Sequence, residues 1–180
     1  KTIFVNNFKL KVSKKNIKKK YKLLIKDYDD GNQLLNSLSL NYKYKFFKKK
    51  INKFKKFKYF RLIGMGGSIL GSEAIYQFLK FKIKKKFLFI NNLNYKIKKN
   101  RFFTNIIISK SGNTLETISN INLLLKKNEN NIFITENKNN YLKQLANKLK
   151  SDVIEHKNFI GGRFAVLSEV GMLPSQLMGL

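Results

Sequence analysis

The chain has 180 residues, 43% of them hydrophobic, so it can bury a core and suits a single domain with an appendage. It contains no cysteine and a single histidine, His156, which excludes disulfides and zinc–sulfur sites and argues against a histidine-based metal site. No apolar run approaches the roughly 18 residues of a membrane span, and no signal-peptide pattern occurs. We therefore expect a cytoplasmic protein that is not attached to a membrane.

The formal net charge of +28 could indicate a nucleic-acid partner. The only arginines, however, are Arg61, Arg101 and Arg163, whereas recognition of bases and phosphates favours arginine over lysine. The lysines accompany abundant Asn, Ile, Phe and Tyr, whose codons are rich in A and T, so a biased genome explains the excess. We expect no specific nucleic-acid partner and keep a basic nucleic-acid-binding protein as an alternative.

The first part of the chain has a helical pattern. Helices are predicted over residues 16–28 and about 33–56, separated by the turn DYDDGN. Within residues 42–59 the apolar positions recur every three or four residues, which predicts a helix with a solvated lysine face. The alternative is a surface that binds single-stranded nucleic acid through interleaved aromatic and lysine side chains. Residues 1–56 are thus predicted to form an N-terminal helical lead-in.

The rest of the chain alternates strand and helix. Short buried strands that alternate with amphipathic helices predict an α/β fold, with a doubly wound parallel sheet flanked by helices. Such sheets bind ligands beyond the carboxyl ends of their strands. We expect this domain to span residues 57–157, followed by a separate segment over residues 158–180. The predicted strands are residues 59–63, 87–90, 105–109, 131–135 and 152–155, and the predicted helices are residues 68–79, 114–126 and 139–150.

Residues 64–73, GMGGSILGSE, connect a predicted strand to a predicted helix. Their glycines permit a close approach of the backbone to a ligand, and the amino end of the helix favours an anion such as phosphate. The dinucleotide fingerprint fails because Ile69 stands at its third glycine position, and the P-loop pattern fails because Ser72 and Glu73 replace its lysine and hydroxyl residue. A phosphate site of another type is predicted; a turn that only connects strand to helix is the alternative.

A second loop has the same setting. The sequence IIISKSGNTLETISNI, residues 106–121, predicts a strand, a polar turn and a helix. Hydroxyls in the turn, with Thr117 one helical turn further on, could surround an anion at the helix amino end. The alternative is helix capping by Asn113 or Thr114. Because two such loops at neighbouring parallel strands would face one crevice, together they predict a phosphate-ester site.

GMGGS followed by SKSGNTLET resembles sugar isomerase (SIS) domains, and GGRFAVLSEVGMLP at residues 161–174 is similar to a segment of the glucose-6-phosphate isomerase family. The resemblance runs from about residue 59 to residue 180. It implies a five-stranded parallel SIS domain and aldose–ketose isomerisation of glucose 6-phosphate to fructose 6-phosphate through an enediolate, without metal or cofactor. A homodimer is also implied.

Carried over residue by residue, the resemblance places Gly67 and Ser68 at the sugar-binding turn. It implies that Arg163 stabilises the enediolate, since a fixed cation beside a developing oxyanion lowers the barrier to proton abstraction. Lys110 would act through its backbone. The residues that fall on the phosphate loop are Ser109, Lys110, Ser111, Thr114 and Thr117.

The sequence also departs from the family pattern. Residues 111–113, Ser-Gly-Asn, resemble the shorter bacterial branch. The family's general-base glutamate, ring-opening histidine and late lysine match no residue here, and His156 does not match the family histidine. Glu73, Glu116 and Glu169 suit helix-surface or capping roles. We therefore interpret the chain as the N-terminal portion of an isomerase that is inactive alone; a non-catalytic SIS module that senses a sugar phosphate is the alternative.

Overall fold

The computed structural model describes residues 13–44, 46, 51–93, 102–126 and 128–180, and the chain divides into two compact units, residues 1–41 and 42–180. The first unit contains helices α1, Lys14–Asp29, and α2, Gln33–Asn36. No residue of α1 is buried. The α2 helix begins at Asn32, whose Oδ1 accepts a hydrogen bond from the Leu34 N–H at 3.0 Å.

The predicted helix over residues 16–28 is confirmed, but the predicted helix over residues 33–56 is wrong in its extent. It ends at Asn36, and residues 37–44 form turns and irregular chain. Residues 45 and 47–50 of that range lie outside the described residues. The aromatic side chains of residues 42–46 pack against one another, with Tyr42 edge-on to Tyr44 and Tyr44 stacked on Phe46, each pair 5.2 Å apart. Ring packing thus takes the place of the predicted helix at Tyr42 and Tyr44, whereas residues 51 and 52 are helical as predicted.

The second unit is a five-stranded parallel sheet with the strand order β2-β1-β3-β4-β5. The strands are β1 Tyr59–Ile63, β2 Lys86–Ile90, β3 Thr104–Ile108, β4 Asn130–Thr135 and β5 Asp152–Glu155. The helices are α3 Leu70–Phe78, α4 Leu115–Leu124, α5 Tyr141–Lys148 and α6 Glu169–Met178, and two 3-10 turns span Gly66–Ser68 and Gly162–Leu167.

Both faces of the sheet are covered by helices, so the predicted doubly wound α/β fold is confirmed. Successive side chains of a strand point to opposite faces. One face, which includes Phe60 and Leu62, packs with side chains of α3 and α6. The other face, which includes Ile63 and Ile107, packs with side chains of α4 and α5. Among the described helices we find none with the length and hydropathy to cross a bilayer.

Helix α6 was not predicted, because its interior contains Pro174. Proline has no N–H to donate to the carbonyl four residues earlier, which here belongs to Val170. The Ser72 hydroxyl of α3 donates to that carbonyl oxygen at 3.2 Å in a buried setting. The lost backbone hydrogen bond is thus replaced by a contact that joins α3 to α6.

A buried polar cluster lies near the amino ends of the strands. The guanidinium of Arg61, which is 4% exposed, donates to Glu129 Oε2 at 2.7 Å and to Asn105 Oδ1 at 2.8 Å. Asn105 Nδ2 in turn donates to Glu129 Oε2 at 3.0 Å and to Asn131 Oδ1 at 2.8 Å. Because a buried charge needs a charged and hydrogen-bonded partner, Arg61 and Glu129 depend on each other.

We predict that Glu129→Ala lowers the free energy of unfolding by about 3–5 kcal/mol, because it leaves the Arg61 guanidinium buried without its carboxylate. The matched control is Asp152→Ala, which removes the partner of Lys53 in an ion pair whose lysine is 58% exposed. That change should cost about 1 kcal/mol or less. Urea unfolding monitored by circular dichroism measures both. Equal losses in the two variants would contradict the prediction.

Candidate functional site

Three loops follow the carboxyl ends of strands at one edge of the sheet. The first loop, residues 64–68, follows β1; the second, residues 109–114, follows β3; and the third, residues 156–162, follows β5. Strands β1 and β3 are neighbours, and the strand order reverses between them. Ligands of open α/β sheets bind at this topological switch point. The candidate site is therefore the crevice between the first two loops.

The first loop packs closely against the end of β3 at Gly64. A Cβ on Gly64 would lie 2.9 Å from the carbonyl oxygen of Ile108 and 3.2 Å from the Cβ of Ser68. The first distance is shorter than real Cβ contacts and the second is tight, so a larger residue fits at position 64 only if its neighbours shift. That the two loops face one crevice stays a prediction, which the parallel pairing of β1 with β3 supports.

The third loop meets the first at Gly67. A Cβ on Gly67 would overlap the backbone of Gly162 and lie 2.6 Å from its Cα. The reverse does not hold, because a Cβ on Gly162 would have an ordinary contact, 3.7 Å, with the Cα of Gly67. The missing side chain of Gly67 therefore admits the loop that leads to Arg163.

The second loop is held together by its own hydroxyls. Ser109 Oγ and Thr114 Oγ1 are 2.8 Å apart, and Ser111 Oγ lies 3.5 Å from Thr114 Oγ1. Ser109 Oγ also accepts the Gly112 N–H at 3.2 Å, and Ser111 Oγ accepts the Asn113 N–H at 3.2 Å. Three hydroxyls therefore lie together around one turn of backbone.

Helix α4 begins without a side-chain cap. Thr114 occupies the N-cap position, as one of the two interpretations predicted, but its hydroxyl makes no capping hydrogen bond. Asn113 does not cap α4 either, because its Oδ1 accepts the N–H of Tyr141 at 3.0 Å. An uncapped helix start leaves N–H donors and the positive end of the helix dipole available to an anion.

The Lys110 side chain points to the third loop. Its Nζ donates to the carbonyl oxygen of Asn158 at 2.6 Å and lies 3.8 Å from Glu136 Oε1. The Lys110 carbonyl accepts the Glu136 N–H at 3.1 Å. With its ammonium engaged in this way, Lys110 connects the second loop to the third.

Thr117 is the most enclosed of the predicted site residues. It is 1% exposed, and its Oγ1 is buried without a hydrogen-bond partner among the described residues. A buried hydroxyl without a partner costs about 1–3 kcal/mol.

Arg163 lies on the 3-10 turn Gly162–Leu167 and is exposed. We find no hydrogen bond or ion pair between its guanidinium and the described residues. The turn itself is firmly seated, because Val166 packs where Gly71 of α3 and Gly171 of α6 have no side chain. A Cβ on Gly71 would lie 2.7 Å from Val166 Cγ2, and a Cβ on Gly171 would overlap the Val166 carbonyl. Arg163 therefore combines an anchored backbone with an available cation.

The remaining titratable groups near this edge are already engaged. His156 is 2% exposed, its Nδ1 lies 3.1 Å from the Lys157 carbonyl oxygen, and burial lowers its pKa. Glu73 Oε2 accepts from Asn91 Nδ2 at 3.3 Å. The surface or capping role expected for Glu169 is wrong, because Glu169 is 1% exposed and accepts the phenol of Tyr42 at 2.8 Å. Within the described residues, no group of three or more His, Asp and Glu could hold a metal ion.

Solved structures with the same architecture identify the class of fold. A hypothetical protein from Thermus thermophilus superposes with a TM-score of 0.69 at 19% identity, over 92% of this chain and 44% of that one. Tagatose-6-phosphate ketose/aldose isomerase from Escherichia coli gives 0.57 at 15% identity, over 71% and 40%. The Vibrio vulnificus NanR protein, complexed with ManNAc-6P, gives 0.55 at 16%, over 92% and 62%. The chain has the predicted SIS-type fold.

The sequence comparison is more specific. No protein-family model matches the chain. It is 37% identical over 133 residues to the glucose-6-phosphate isomerase of Methanocaldococcus jannaschii and 36% identical over 141 residues to that of Acholeplasma laidlawii. Each alignment covers 66% of this chain, which spans about a third of the length of these relatives. The chain is thus similar to part of the glucose-6-phosphate isomerases, as the three motifs predicted.

We predict that Gly67→Ala destabilises the second unit by about 1–3 kcal/mol, because the added Cβ overlaps the backbone of Gly162 and one of the two loops must move. Gly162→Ala is the matched control, since its Cβ has room. Thermal unfolding should show a clear fall in Tm for the first variant and little change for the second. If Gly162→Ala proved the more harmful, the asymmetry of this contact would be wrong.

Proposed function

We propose that this chain binds a hexose phosphate in the crevice between the first and second loops and takes part in the isomerisation of glucose 6-phosphate to fructose 6-phosphate. The observation that carries the proposal is the contact among the three loops: Gly67 packs against the backbone of Gly162, which Arg163 follows directly, and Lys110 Nζ donates to the Asn158 carbonyl oxygen. Homology to glucose-6-phosphate isomerases over 66% of the chain supports the same reaction.

The phosphate would bind at the second loop. Its hydroxyls at Ser109, Ser111 and Thr114 are grouped beside the uncapped start of α4, and hydrogen bonds to a charged group are stronger than neutral ones. Lys110 would contribute through its backbone, since its ammonium is bonded to the Asn158 carbonyl. A phosphate oxygen would also give the buried Thr117 hydroxyl the partner it lacks.

The sugar would extend from the phosphate towards the first loop. Gly67 and Ser68 are half-buried at the start of α3, where backbone can approach the sugar closely. Arg163, on the neighbouring turn, would then lie at the end of the sugar that reacts. This arrangement separates the group that is held from the carbons that exchange a proton.

Arg163 would act on the enediolate. Removal of the proton from C2 of the open-chain aldose places negative charge on the oxygen of C1. Transfer of the proton from the C2 oxygen to the C1 oxygen and protonation of C1 then give the ketose. A preorganised guanidinium beside the C1 oxygen stabilises the intermediate more than the substrate, which is what accelerates a reaction. The exposed and available side chain of Arg163 suits this role.

The base that moves the proton would come from residues other than these 180. Among the carboxylates near the crevice, Glu73 is bonded to Asn91 and Glu169 is buried against Tyr42. We propose that this chain supplies the phosphate site and Arg163, and that other parts of the complete enzyme supply the proton-transfer groups. We further propose that the complete enzyme is a cytoplasmic homodimer that works without a metal or cofactor.

We predict that Ser109→Ala combined with Thr114→Ala abolishes binding of glucose 6-phosphate by this chain while the fold persists. Each lost hydrogen bond to the charged phosphate should cost about 1.5–3 kcal/mol. The control is Ser151→Ala, which removes a hydroxyl that bonds to the Leu149 carbonyl next to the amino end of β5. Isothermal titration calorimetry gives the affinities and circular dichroism the fold. Unchanged affinity in the double variant would remove the phosphate assignment.

We predict that Arg163→Ala, in a complete enzyme that contains this chain, lowers kcat by about 10²–10³-fold with a smaller effect on KM, because the guanidinium meets charge that develops only at the enediolate. Arg163→Lys should recover part of the loss, since an ammonium lacks the planar fork. A coupled assay of fructose 6-phosphate formation measures both. Near-normal kcat in the alanine variant, or turnover by the 180 residues alone, would show that the chemistry lies elsewhere.

A further inference from the structure

The connection from β5 to α6, residues 157–168, carries Arg163, and one side chain contacts both of its ends. The phenol of Tyr42 donates a hydrogen bond to Glu169 Oε2 at 2.8 Å, directly after the connection. The Nζ of Lys157, at its start, lies 4.3 Å from the centre of the Tyr42 ring, a cation–π distance. Tyr42 thus joins the two ends of a segment whose middle carries the candidate catalytic cation.

A second tyrosine supports the same contact. The phenol of Tyr44 donates to the carbonyl oxygen of Leu167 at 3.3 Å, and its ring packs edge-on against Tyr42 at 5.2 Å. Leu167 is the last residue of the 3-10 turn that begins one residue before Arg163. Residues 42–44 therefore contact the end of the turn through two hydrogen bonds from neighbouring rings.

The hydrogen-bond acceptor, Glu169, is buried at the start of a capped helix. Glu169 is 1% exposed and opens α6, where its carboxylate lies at the positive end of the helix dipole. Ser168, just before it, caps the helix by accepting the Val170 N–H and donates to the Ala165 carbonyl at 2.7 Å. Two effects raise the pKa of Tyr42 far above its usual range: burial, which is the larger, and the hydrogen bond to Glu169. The phenol therefore keeps the proton that it donates.

We propose that Tyr42 is a positioning residue for Arg163: its hydrogen bond to Glu169 fixes the β5–α6 connection so that the guanidinium is held where the enediolate oxygen develops. The inference rests on the proposed function. A preorganised cation is effective only within a narrow range of positions, and a displacement of about 1 Å can cost as much as 100-fold. Without the phenol of Tyr42, the tyrosine hydrogen bonds at the end of the turn are reduced to the 3.3 Å contact from Tyr44.

The test compares two ligands on the 180-residue chain, so it does not need the complete enzyme. Glucose 6-phosphate represents the ground state, and a phosphorylated aldonohydroxamate, which is planar and anionic near C1 and C2, represents the enediolate. Calorimetry gives the preference, defined as the glucose 6-phosphate Kd divided by the hydroxamate Kd. A role confined to stability would weaken both ligands alike and leave this ratio unchanged.

We predict that Tyr42→Phe lowers the preference about tenfold or more and leaves the glucose 6-phosphate Kd within about twofold, with Arg163→Ala giving the full loss of preference. Glu169→Gln should keep most of it, because the amide oxygen still accepts from the phenol. The matched control is Tyr141→Phe, which removes a phenol hydrogen bond to Asn122 between α5 and α4, on the opposite face of the sheet from α6. Its preference should equal that of the wild type.

The outcomes separate this inference from the proposed function. If Arg163→Ala removes the preference and Tyr42→Phe retains it, the positioning role is overturned and the proposed function stands. If the wild-type chain binds glucose 6-phosphate without preferring the hydroxamate, both the role of Arg163 and that of Tyr42 are overturned. If it binds neither ligand, the proposed function fails. Should Tyr42→Phe fail to fold, Tyr44→Phe must lower the preference in the same direction, and an unchanged ratio there overturns the inference.

Discussion

The contact between the backbones of Gly67 and Gly162 is the constraint on which the candidate site depends. It joins the loop after the interior strand β1 to the loop after the edge strand β5, and it exists only because residue 67 has no Cβ. Close packing of backbone on backbone leaves little freedom for either loop. The backbone position of Arg163, which follows Gly162, therefore depends on the absence of a side chain at Gly67.

Support for that contact comes from the layer of helices behind it. Val166 packs into the spaces left by Gly71 and Gly171, and the Ser72 hydroxyl binds the carbonyl that Pro174 leaves without a donor. The Gly71 contact joins α3, which follows the first loop, to the turn that carries Arg163, and the Ser72 contact joins α3 to α6, which follows that turn. The first loop and the Arg163 turn are thus fixed twice, once by backbone contact at the site and once by helix packing below it.

Sequence patterns predicted the sheet well, because strand burial depends on short apolar runs that are visible locally. The start of β1 and both ends of β5 agree with the prediction, and the two phosphate-type loops lie where the alternation placed them. Helix α6 was missed because Pro174 is a helix breaker unless a distant hydroxyl replaces its donor, and Ser72 is far away in sequence. Tyr42 was missed because its spacing also fits a solvated helix, and its acceptor, Glu169, lies near the other end of the chain.

Polar groups have opposite roles at the amino and carboxyl ends of the strands. Near the amino ends, Arg61 and Glu129 are buried and satisfy each other within one network, so this charge is committed to the fold. At the carboxyl ends, the hydroxyls of the second loop bond mainly among themselves, and Arg163 is exposed. Groups that are bonded only to one another, or to none, can exchange those bonds for a ligand at small cost, whereas a buried ion pair cannot. Because the polar groups at the carboxyl ends of the strands can exchange their hydrogen bonds for a ligand, we place the chemistry there.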